Sequence, residues 1–280
     1  MNGPLVLKLG GELVETPAQR AAIAAAAAAV AAHRPLVIVH GGGRAIDAEL
    51  DRRAIAPRKI DGLRLTDAAT LDVVVSVLGG AANTALVAAL VGEGVTAVGL
   101  TGVDAGFGRA VRTSAYRATS GAVVDLGYVG DPSGVEVSLI ELLLVHGYVP
   151  VVASLGLDNS PVTAGQSPHI LNVNADVMAC RIAAALPGSE LVIAGTTAGV
   201  LDESGESIPM LDTEGIDALI AGGTATAGMV AKLTACRTAL LEGAASVRIV
   251  DGRLFDPEHG VDDAPGTTLA LSRPALDRSA

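Results

Sequence analysis

Aromatic residues are scarce in this chain of 280 residues, which has no Trp, two Phe and three Tyr. Hydrophobic residues nevertheless make up 50% of the chain, so Ala, Val, Leu and Ile have to supply the buried surface. The length is sufficient for one large α/β domain or for two fused lobes with separate cores.

Positive charge is also in short supply. The net charge of −11 argues against a nucleic-acid-binding protein, because such proteins need a clustered basic surface. Of the 19 basic residues only three are lysine, namely Lys8, Lys59 and Lys232. In a chain that otherwise uses arginine, a retained lysine indicates a place where a compact ammonium is needed. Lys8 and Lys232 lie beside glycine-rich turns, whereas Lys59 lies in a polar connection and is expected to contribute little to catalysis.

Cysteine is rare as well. Cys180 and Cys236 fall in helix-like stretches, where they are predicted to be small core residues in a reducing compartment. The alanine run 21–32 is shorter than the ~20 residues that a membrane span needs. The first four residues lack the basic region that begins a signal peptide. We therefore expect a soluble cytoplasmic protein with neither a membrane nor nucleic acid as a partner.

Short apolar runs alternate with longer helical patterns, which is typical of a mainly parallel sheet covered by helices. The predicted strands are Leu5–Leu9, Leu36–Val39, Thr96–Leu100, Tyr148–Ala153, Leu191–Ala194 and Val247–Val250. The predicted helices are Pro17–Ala32, Ala45–Arg53, Asp67–Val91, Leu139–His146, Asn174–Leu186, Asp212–Ala221 and Ala227–Glu242. Hairpins are predicted over Gly102–Gly130, a connection between two lobes over Leu155–His169, and a frayed tail after Asp262.

Two predicted strands run directly into glycine clusters that precede helices, Lys8-Leu9-Gly10-Gly11 and His40-Gly41-Gly42-Gly43. Consecutive glycines let backbone N–H groups approach a ligand closely, and the following helix adds the positive end of its dipole. A glycine at a strand-to-helix turn is often only a packing device. Two such clusters, one of them with a rare lysine, favour a phosphate-binding site.

The familiar nucleotide-binding fingerprints are missing. Gly223–Gly228 has the glycine spacing of a P-loop, but Met229 stands where a lysine is required, and no G-x-G-x-x-G occurs. A His-Gly-Gly-Gly segment also forms the oxyanion hole of some esterases. Their chemistry needs a G-x-S-x-G elbow, and the nearest approach, Val152–Gly156, lacks its first glycine. The esterase interpretation is therefore disfavoured.

Several polar residues have positions that suit a binding site. Asn172 and Asn174 alternate on an extended segment, so both amides can face one site, although Asn174 also suits a helix cap and Asp176 a helix N-terminus. Lys232 is predicted one turn into a helix. Arg64 lies at a turn before a helix that we expect Thr66 to cap, and its forked guanidinium suits a carboxylate.

These segments together resemble the amino-acid kinase family, and within it the acetylglutamate kinases. The Gly-Leu-Arg and Asn-Val-Asn-Ala-Asp segments are specific for that branch. The matching pieces fall in the order of the family and cover nearly the whole chain: Lys8–Gly11, Val39–Gly43, Gly62–Arg64, Leu126–Gly130, Asn172–Asp176, Gly228–Lys232 and Asp251–Arg253.

The resemblance implies a three-layer αβα sandwich around a mainly parallel sheet. It implies an N-terminal lobe, residues 1–165, that binds the acylated amino acid and dimerises, and a C-terminal lobe, residues 166–280, that binds ATP. ATP with Mg²⁺ is then the co-substrate, and no tightly bound cofactor or protein metal site is expected. Two subunits are expected to join into one continuous sheet.

The resemblance also implies residue roles. Lys8 and Lys232 would stabilise the transferring phosphoryl group, and Asp176 would orient both ammonium groups. The implied substrate-binding residues are Gly42, Gly43, Arg64, Asn172 and Asn174. The implied nucleotide-binding residues are Gly10, Gly11, Thr196, Gly199, Leu201, Thr224, Thr226 and Gly228. Gly10, Gly11, Gly42 and Gly43 would act through backbone N–H donors.

The residue types agree with such chemistry. A glutamate side chain, with an ordinary pKa near 4.3, is already ionised at neutral pH and needs no general base. Catalysis then depends on positioning and on neutralising charge at the phosphoryl oxygens. A site without a catalytic His or Cys fits this reaction, and His40 is interpreted as structural.

Two alternatives to this interpretation stay open. Thr196 stands where the family usually has an acidic residue, so a catalytically weak regulatory relative is one alternative. A sister kinase that acts on N-acetylated or carrier-linked aminoadipate is another, because one methylene of substrate length is not visible in a sequence. Relatives that arginine inhibits carry a helix before the first strand. Lys8 comes only seven residues after the start, which leaves too few residues for such a helix. We therefore expect a homodimer that arginine does not inhibit.

Overall fold

The computed structural model describes residues 3–162, 165, 167–223 and 227–272, so Thr224 and Thr226 lie outside the described residues. The strands are β1 Leu5–Leu9, β2 Leu36–His40, β3 Lys59–Ile60, β4 Leu63–Arg64, β5 Ala97–Thr101, β6 Gly108–Arg112, β7 Tyr116–Arg117, β8 Val123–Val124, β9 Val129–Val135, β10 Val149–Ala153, β11 Leu155–Asp158, β12 Ile170–Val173, β13 Glu190–Gly195, β14 Met210–Asp212, β15 Ser246–Asp251 and β16 Gly266–Ala270. The α-helices are α1 Pro17–Ala31, α2 Gly43–Arg52, α3 Ala68–Val75, α4 Asn83–Gly92, α5 Ser138–Val145, α6 Ala175–Ala185, α7 Thr213–Ala221 and α8 Ala227–Glu242.

An eight-stranded sheet forms the centre of the protein, in the order β14-β16-β15-β13-β1-β2-β10-β5. Its strands pair in parallel except for β15 and β16, which run antiparallel. The predicted mainly parallel α/β sandwich is therefore confirmed. The six predicted strands correspond to β1, β2, β5, β10, β13 and β15 of this sheet. The seven predicted helices are all present.

Alternation along β1 sends its side chains to two separate cores. Leu5, Leu7 and Leu9 pack in the cluster that contains residues of α1 and α4, whereas Val6 packs in the cluster that contains residues of α6 and α8. Lys8 follows the alternation and points to the α6–α8 side. Both cysteines are buried in that second cluster, as predicted.

A second group of strands, β6, β9, β11 and β12, pairs into a closed ring. The segment Leu155–His169, predicted to be a connection between lobes, begins with β11, which pairs antiparallel with β12. Two small hairpins, β3–β4 and β7–β8, form two-stranded sheets of their own. Hairpins were predicted within Gly102–Gly130, and β6 to β8 lie there.

The tail after Asp262 does not fray where the structure describes it, so that prediction was wrong. Residues Gly266–Ala270 form β16, which lies between β14 and β15. Thr267 is fully buried, and its hydroxyl accepts a hydrogen bond from the Val200 N–H at 2.8 Å. A polar side chain at a buried strand position hid this strand from the hydrophobic pattern.

Helices α3 and α4 are joined by a π-helical stretch, Ser76–Ala82, into one run from Ala68 to Gly92. By length and composition alone this run is apolar enough to cross a membrane, a test that core helices also pass. Asn83, at the end of the π-helix, donates to the Val151 carbonyl at 2.9 Å and contacts His40 Nε2 at 3.2 Å. His40 is fully buried, and Nδ1 then donates to the Gly41 carbonyl at 3.1 Å. Burial lowers the pKa of His40, which suits a neutral structural role.

Candidate active site

A cavity of about 530 Å³ lies where β1 and β2 end and α6 begins. It is lined by most of the described residues for which the sequence predicts a role, namely Lys8, Gly10, Gly11, Gly42, Gly43, Arg64, Asn172, Asn174 and Asp176. These residues come from the first half of the chain and from the segment that opens α6. The cavity therefore brings together residues that are up to 168 positions apart, Lys8 and Asp176.

Two lysines share the Asp176 carboxylate; Lys8 and Asp176 line the cavity, whereas Lys232 lies outside the lining. Lys8 Nζ lies 2.8 Å from Asp176 Oδ1, and Lys232 Nζ donates to Asp176 Oδ2 at 2.7 Å. The exposed fractions of the three side chains are 11% for Lys8, 18% for Asp176 and 19% for Lys232. We call these three residues the two-lysine cluster. The cluster carries one net positive charge in a largely desolvated place.

The carboxylate of the two-lysine cluster stays ionised. Burial alone raises the pKa of Asp176, but the charges of Lys8 and Lys232 outweigh burial and lower it to about 2. At neutral pH the aspartate is therefore a fixed anion that holds two ammonium groups at a set spacing.

Local structure explains why these residues meet. Asn174 caps α6, since its Oδ1 accepts from the Asp176 and Val177 N–H groups at 2.8 and 3.3 Å. Asp176 thus lies in the first turn of α6. Lys232 lies about one turn into α8, which packs beside α6 in the same core cluster. The sequence predicts Asn174 either as a helix cap or as a site residue; the structure shows the cap, and Asn174 also lines the cavity.

The two glycine turns touch each other. A Cβ on Gly11 would lie 3.0 Å from the Gly42 Cα, so a larger residue would push the two turns apart. The N–H groups of Gly42 and Gly43 belong to the start of α2, where backbone donors have no partner within the helix. Gly10 is a correction to the predicted donors, because its N–H donates to the Ala194 carbonyl at 2.9 Å.

Glu12 is a cavity residue that the sequence did not single out. Its carboxylate lies over Gly10, where a Cβ would be 2.3 Å from Glu12 Oε1. The same oxygen lies 3.5 Å from the position of a Cβ on Gly195. The signal that could have pointed to Glu12 is its place directly after Gly10-Gly11.

Arg64 is held by α2. Its Nη1 lies 2.5 Å from Asp47 Oδ1, and its Nη2 donates to the Gly43 carbonyl at 3.1 Å. Lys59, which the sequence predicts to contribute little to catalysis, lines the cavity and donates to Asp47 Oδ2 at 2.7 Å. Burial raises the pKa of Asp47, but hydrogen bonds from Arg64 and Lys59 outweigh it and lower the pKa. We call β3–β4 with its turn, residues 59–64, the Arg64 hairpin.

Thr66 connects the Arg64 hairpin to Asn172. The buried Thr66 hydroxyl donates to the Arg64 carbonyl at 3.0 Å and accepts from Asn172 Nδ2 at 3.2 Å. The predicted helix cap at Thr66 is wrong by one residue, because Asp67 accepts from the Thr70 N–H at 2.9 Å and caps α3.

Four described residues with a predicted nucleotide role lie outside the cavity lining, namely Thr196, Gly199, Leu201 and Gly228. Gly199 is buried with a φ of 108°, and a Cβ there would lie 2.5 Å from the Thr267 hydroxyl, so its position is explained by packing. Thr196 is exposed after β13, and its carbonyl accepts from Arg253 Nη2 at 3.0 Å. Gly228 is the second residue of α8, and a Cβ there would have no atom within 4 Å among the described residues.

Comparison with known proteins identifies the group to which this structure belongs. A sequence model of the amino acid kinase family matches residues 3–251. The acetylglutamate kinase of Stutzerimonas stutzeri (strain A1501) is 37% identical over 256 residues, which is 89% of this chain and 83% of that protein. The acetylglutamate kinase of Acidiphilium cryptum (strain JF-5) is 41% identical over 222 residues, or 78% and 72% of the two chains.

The fold agrees with this assignment. The crystal structure of smu.665 from Streptococcus mutans UA159 superposes with a TM-score of 0.78 at 26% identity, covering 97% of this chain and all of that one. Sequence, sheet order and the cavity at the ends of β1 and β2 thus lead to the same conclusion, and the chain belongs to the amino acid kinase family.

Proposed function

We propose that this protein transfers the γ-phosphoryl group of ATP to the side-chain carboxylate of N-acetyl-L-glutamate, a step in arginine biosynthesis. The relatives at 37% and 41% identity carry the name of this activity over most of both chains. The observation that carries the proposal is the two-lysine cluster, which puts two ammonium groups 2.7 and 2.8 Å from one carboxylate at the cavity.

The proposed reaction needs no base. An ionised carboxylate oxygen of the substrate attacks the γ-phosphorus, the bond to the β,γ-bridging oxygen breaks, and ADP leaves. Lys8 and Lys232 would neutralise charge on the phosphoryl oxygens as the transition state forms, and Asp176 would hold both ammonium groups in place beforehand. The N–H groups of Gly42 and Gly43 would add donors at the start of α2.

The substrate would lie toward the Arg64 hairpin. A forked guanidinium matches the geometry of a carboxylate, and contacts to Asp47 and the Gly43 carbonyl fix the orientation of Arg64. The Asn172 amide, fixed through Thr66, would bind a second polar group of the acylated amino acid.

The carboxylate oxygens at the cavity suit a Mg²⁺ ion that arrives with ATP. No cluster of three or more His, Cys, Asp or Glu that would hold a metal occurs in the part of the chain that the structure describes. Mg²⁺ commonly takes one or two carboxylates and completes its shell with phosphates and water. Glu12 and Asp131 are the lining carboxylates that would hold it, since both oxygens of Asp176 contact lysines. The ion would supply charge neutralisation at the phosphates.

The remaining features of the proposal concern organisation. Residues 1–165 would bind the acylated amino acid and 166–280 the nucleotide, with the boundary in the β11–β12 hairpin. A homodimer is supported by β5, the edge strand of the sheet among the described residues, and by Val91 on the neighbouring α4, which is 56% exposed. We propose a cytoplasmic location, which the two free cysteines support. Sedimentation at the mass of two chains would test the dimer.

The activity is tested by trapping the product. Protein incubated with ATP, Mg²⁺ and N-acetylglutamate is expected to form an acyl phosphate that hydroxylamine converts to a hydroxamate. Free glutamate is the control for the acetyl group, and N-acetylaminoadipate is the control for chain length. Equal hydroxamate from free glutamate, or more from the longer acid, would contradict the substrate. No ATP turnover with any acid would favour a catalytically weak relative.

A further inference from the structure

The Arg64 hairpin and a second hairpin form part of the cavity wall. The second, which we call the Tyr116 hairpin, is β7–β8 with its connection, residues 116–124. Each hairpin has strands of two residues and pairs with no other described strand. Because isolated two-stranded hairpins are marginally stable, side-chain contacts must hold both in position.

One carboxylate joins these two hairpins. Asp61 Oδ2 accepts from the Tyr116 hydroxyl at 3.1 Å and from the Thr119 N–H at 2.8 Å, while Oδ1 accepts from the Thr119 hydroxyl at 2.6 Å. The partners lie 55 and 58 positions away in sequence. The Thr119 hydrogen bonds lower the pKa of Asp61, so the carboxylate stays ionised around neutral pH.

The turn itself does not need this carboxylate. Asp61 and Gly62 have φ values of 49° and 83°, and a two-residue turn with positive φ at both positions is the type I′ turn that favours Asp-Gly and Asn-Gly. The base of the Arg64 hairpin is fixed separately, because the Thr66 N–H donates to the Leu126 carbonyl at 2.9 Å. Asp61 therefore acts at the opposite end, the turn.

We propose that Asp61 is a positioning residue for substrate binding. By fastening the turn of the Arg64 hairpin to the Tyr116 hairpin, it sets the distance between two walls of the cavity, one carrying Arg64 and the other Tyr116. The side chain of Asp61 acts only through these neighbours. This inference rests on the proposed function, since it assumes that the acylated amino acid binds between the hairpins.

The test is the variant Asp61→Gly, which keeps a backbone suited to positive φ and removes all three hydrogen bonds. We expect KM for N-acetylglutamate to rise roughly three- to tenfold, while kcat and KM for ATP stay unchanged. Asp61→Asn, which keeps the turn and one carbonyl acceptor, is expected to fall between the wild type and Asp61→Gly. When Tyr116→Phe is combined with Asp61→Gly, KM is expected to rise little further, because the Tyr116 hydroxyl has already lost its partner.

A matched control is Asp104→Gly. Asp104 likewise accepts from a threonine N–H and hydroxyl, those of Thr101 at 2.6 and 2.9 Å, but lies outside the cavity lining. This variant is expected to keep the wild-type KM. A KM change as large in Asp104→Gly as in Asp61→Gly would overturn the inference, as would an unchanged KM in Asp61→Gly.

Hydrogen exchange of the protein without ligand separates this inference from the proposed function. Amides of residues 59–64 and 116–119 are expected to exchange faster in Asp61→Gly than in the wild type. A wild type that does not phosphorylate N-acetylglutamate refutes the proposed function, whatever the exchange shows. Wild-type activity together with identical exchange in both proteins refutes the fastening role of Asp61.

Discussion

The two-lysine cluster and the Arg64 hairpin meet at one cavity, which Lys8, Asp176 and Arg64 line, but different contacts hold them in place. Lys8, Asp176 and Lys232 stand on a central strand and two helices that pack in one hydrophobic core. The Arg64 hairpin has four paired residues, and polar side chains attach it to α2 and to the Tyr116 hairpin. The comparison suggests that the groups proposed to act on the phosphoryl group are rigidly mounted. The hairpin that carries Arg64 instead depends on a few polar contacts for its position.

The largest expected effect comes from removing the shared carboxylate. Asp176→Asn leaves two ammonium groups close together without their counter-ion, so we expect kcat to fall by at least about 10³ and the free energy of unfolding to fall by about 3 kcal/mol. Activity assays and urea unfolding measure both quantities. Asp217→Asn is the control, because Asp217 pairs with Arg237 at 2.9 Å but is 55% exposed. A loss of kcat below tenfold in Asp176→Asn would contradict the role of the cluster.

The pH dependence of stability tests the same carboxylate. The pKa of Asp176 falls from 3.8 to about 2 in the folded protein, so its contribution is complete above the unfolded value and is lost as the pH drops through the folded value. Unfolding measured between about pH 5 and pH 2 is expected to show roughly 2 kcal/mol of this loss in the wild type. Asp176→Asn is expected to lack that component. Parallel curves for the two proteins would show that Asp176 is not the group responsible.

Removing one ammonium group is expected to have the next largest effect. Lys8→Ala and Lys232→Ala should each lower kcat by on the order of 10²–10³, the cost of losing one preorganised donor to developing charge, with a smaller change in KM for N-acetylglutamate. Arg181→Ala serves as the control, since it removes a cation from α6 that pairs with Glu242 at 2.6 Å. Equal losses in all three variants would mean that general charge, rather than the cluster, is responsible.

Truncating the arginine should act on binding instead. Arg64→Ala is expected to raise KM for N-acetylglutamate by about one to two orders of magnitude, equivalent to roughly 1.5–3 kcal/mol, because it removes a charged contact that exists before the transition state. Steady-state kinetics with either substrate varied will separate KM from kcat. Arg112→Ala, which breaks an exposed pair with Asp125, is the control. A fall in kcat at constant KM would contradict the assignment of Arg64 to substrate binding.

The smallest effect is expected at Lys59. Its contact with Asp47 is partly exposed and contributes little by itself, so Lys59→Ala should raise KM by no more than about fivefold, through a looser Asp47–Arg64 pair. The neighbouring Arg58→Ala is the matched control, because Arg58 pairs with Asp67 outside the cavity lining. Identical kinetics in both variants would mean that Lys59 acts only as a surface charge.

Much of the sheet was predictable from the sequence because buried parallel strands are short apolar runs. Leu5–Leu9 was predicted with its observed bounds, and Leu36–Val39 falls one residue short of β2. β16 was missed because Gly266 and the threonines after it do not form such a run, although Thr267 is buried. The strand is stabilised by neighbours from distant parts of the chain, which local patterns do not reveal.

The candidate site likewise has residues that the sequence predicts and contacts that it does not reveal. Lys8, Asp176 and Lys232 follow from the family resemblance, supported by the rarity of lysine. The contacts of Asp47 and Asp61 could not be predicted from the sequence. An aspartate in a helix or turn has the pattern of any solvated charge until the fold brings Arg64 or Thr119 beside it. Gly10 was misjudged for a related reason, since its N–H is used by a carbonyl from β13.

The π-helical stretch before Asn83 gives this helix one place where its length can change. A π-helix closes each turn with one residue more than the surrounding α-helix, and each residue of an α-helix turns the chain by about 100°. Deleting a single residue from Ser76–Ala82 would restore the regular turn, so Asn83 would still face His40 and the strand carbonyls that it now contacts. Deleting a residue from α4 would instead turn every later side chain of that helix by this angle. In evolutionary terms, this stretch should lose a residue more readily than the α-helical turns around it.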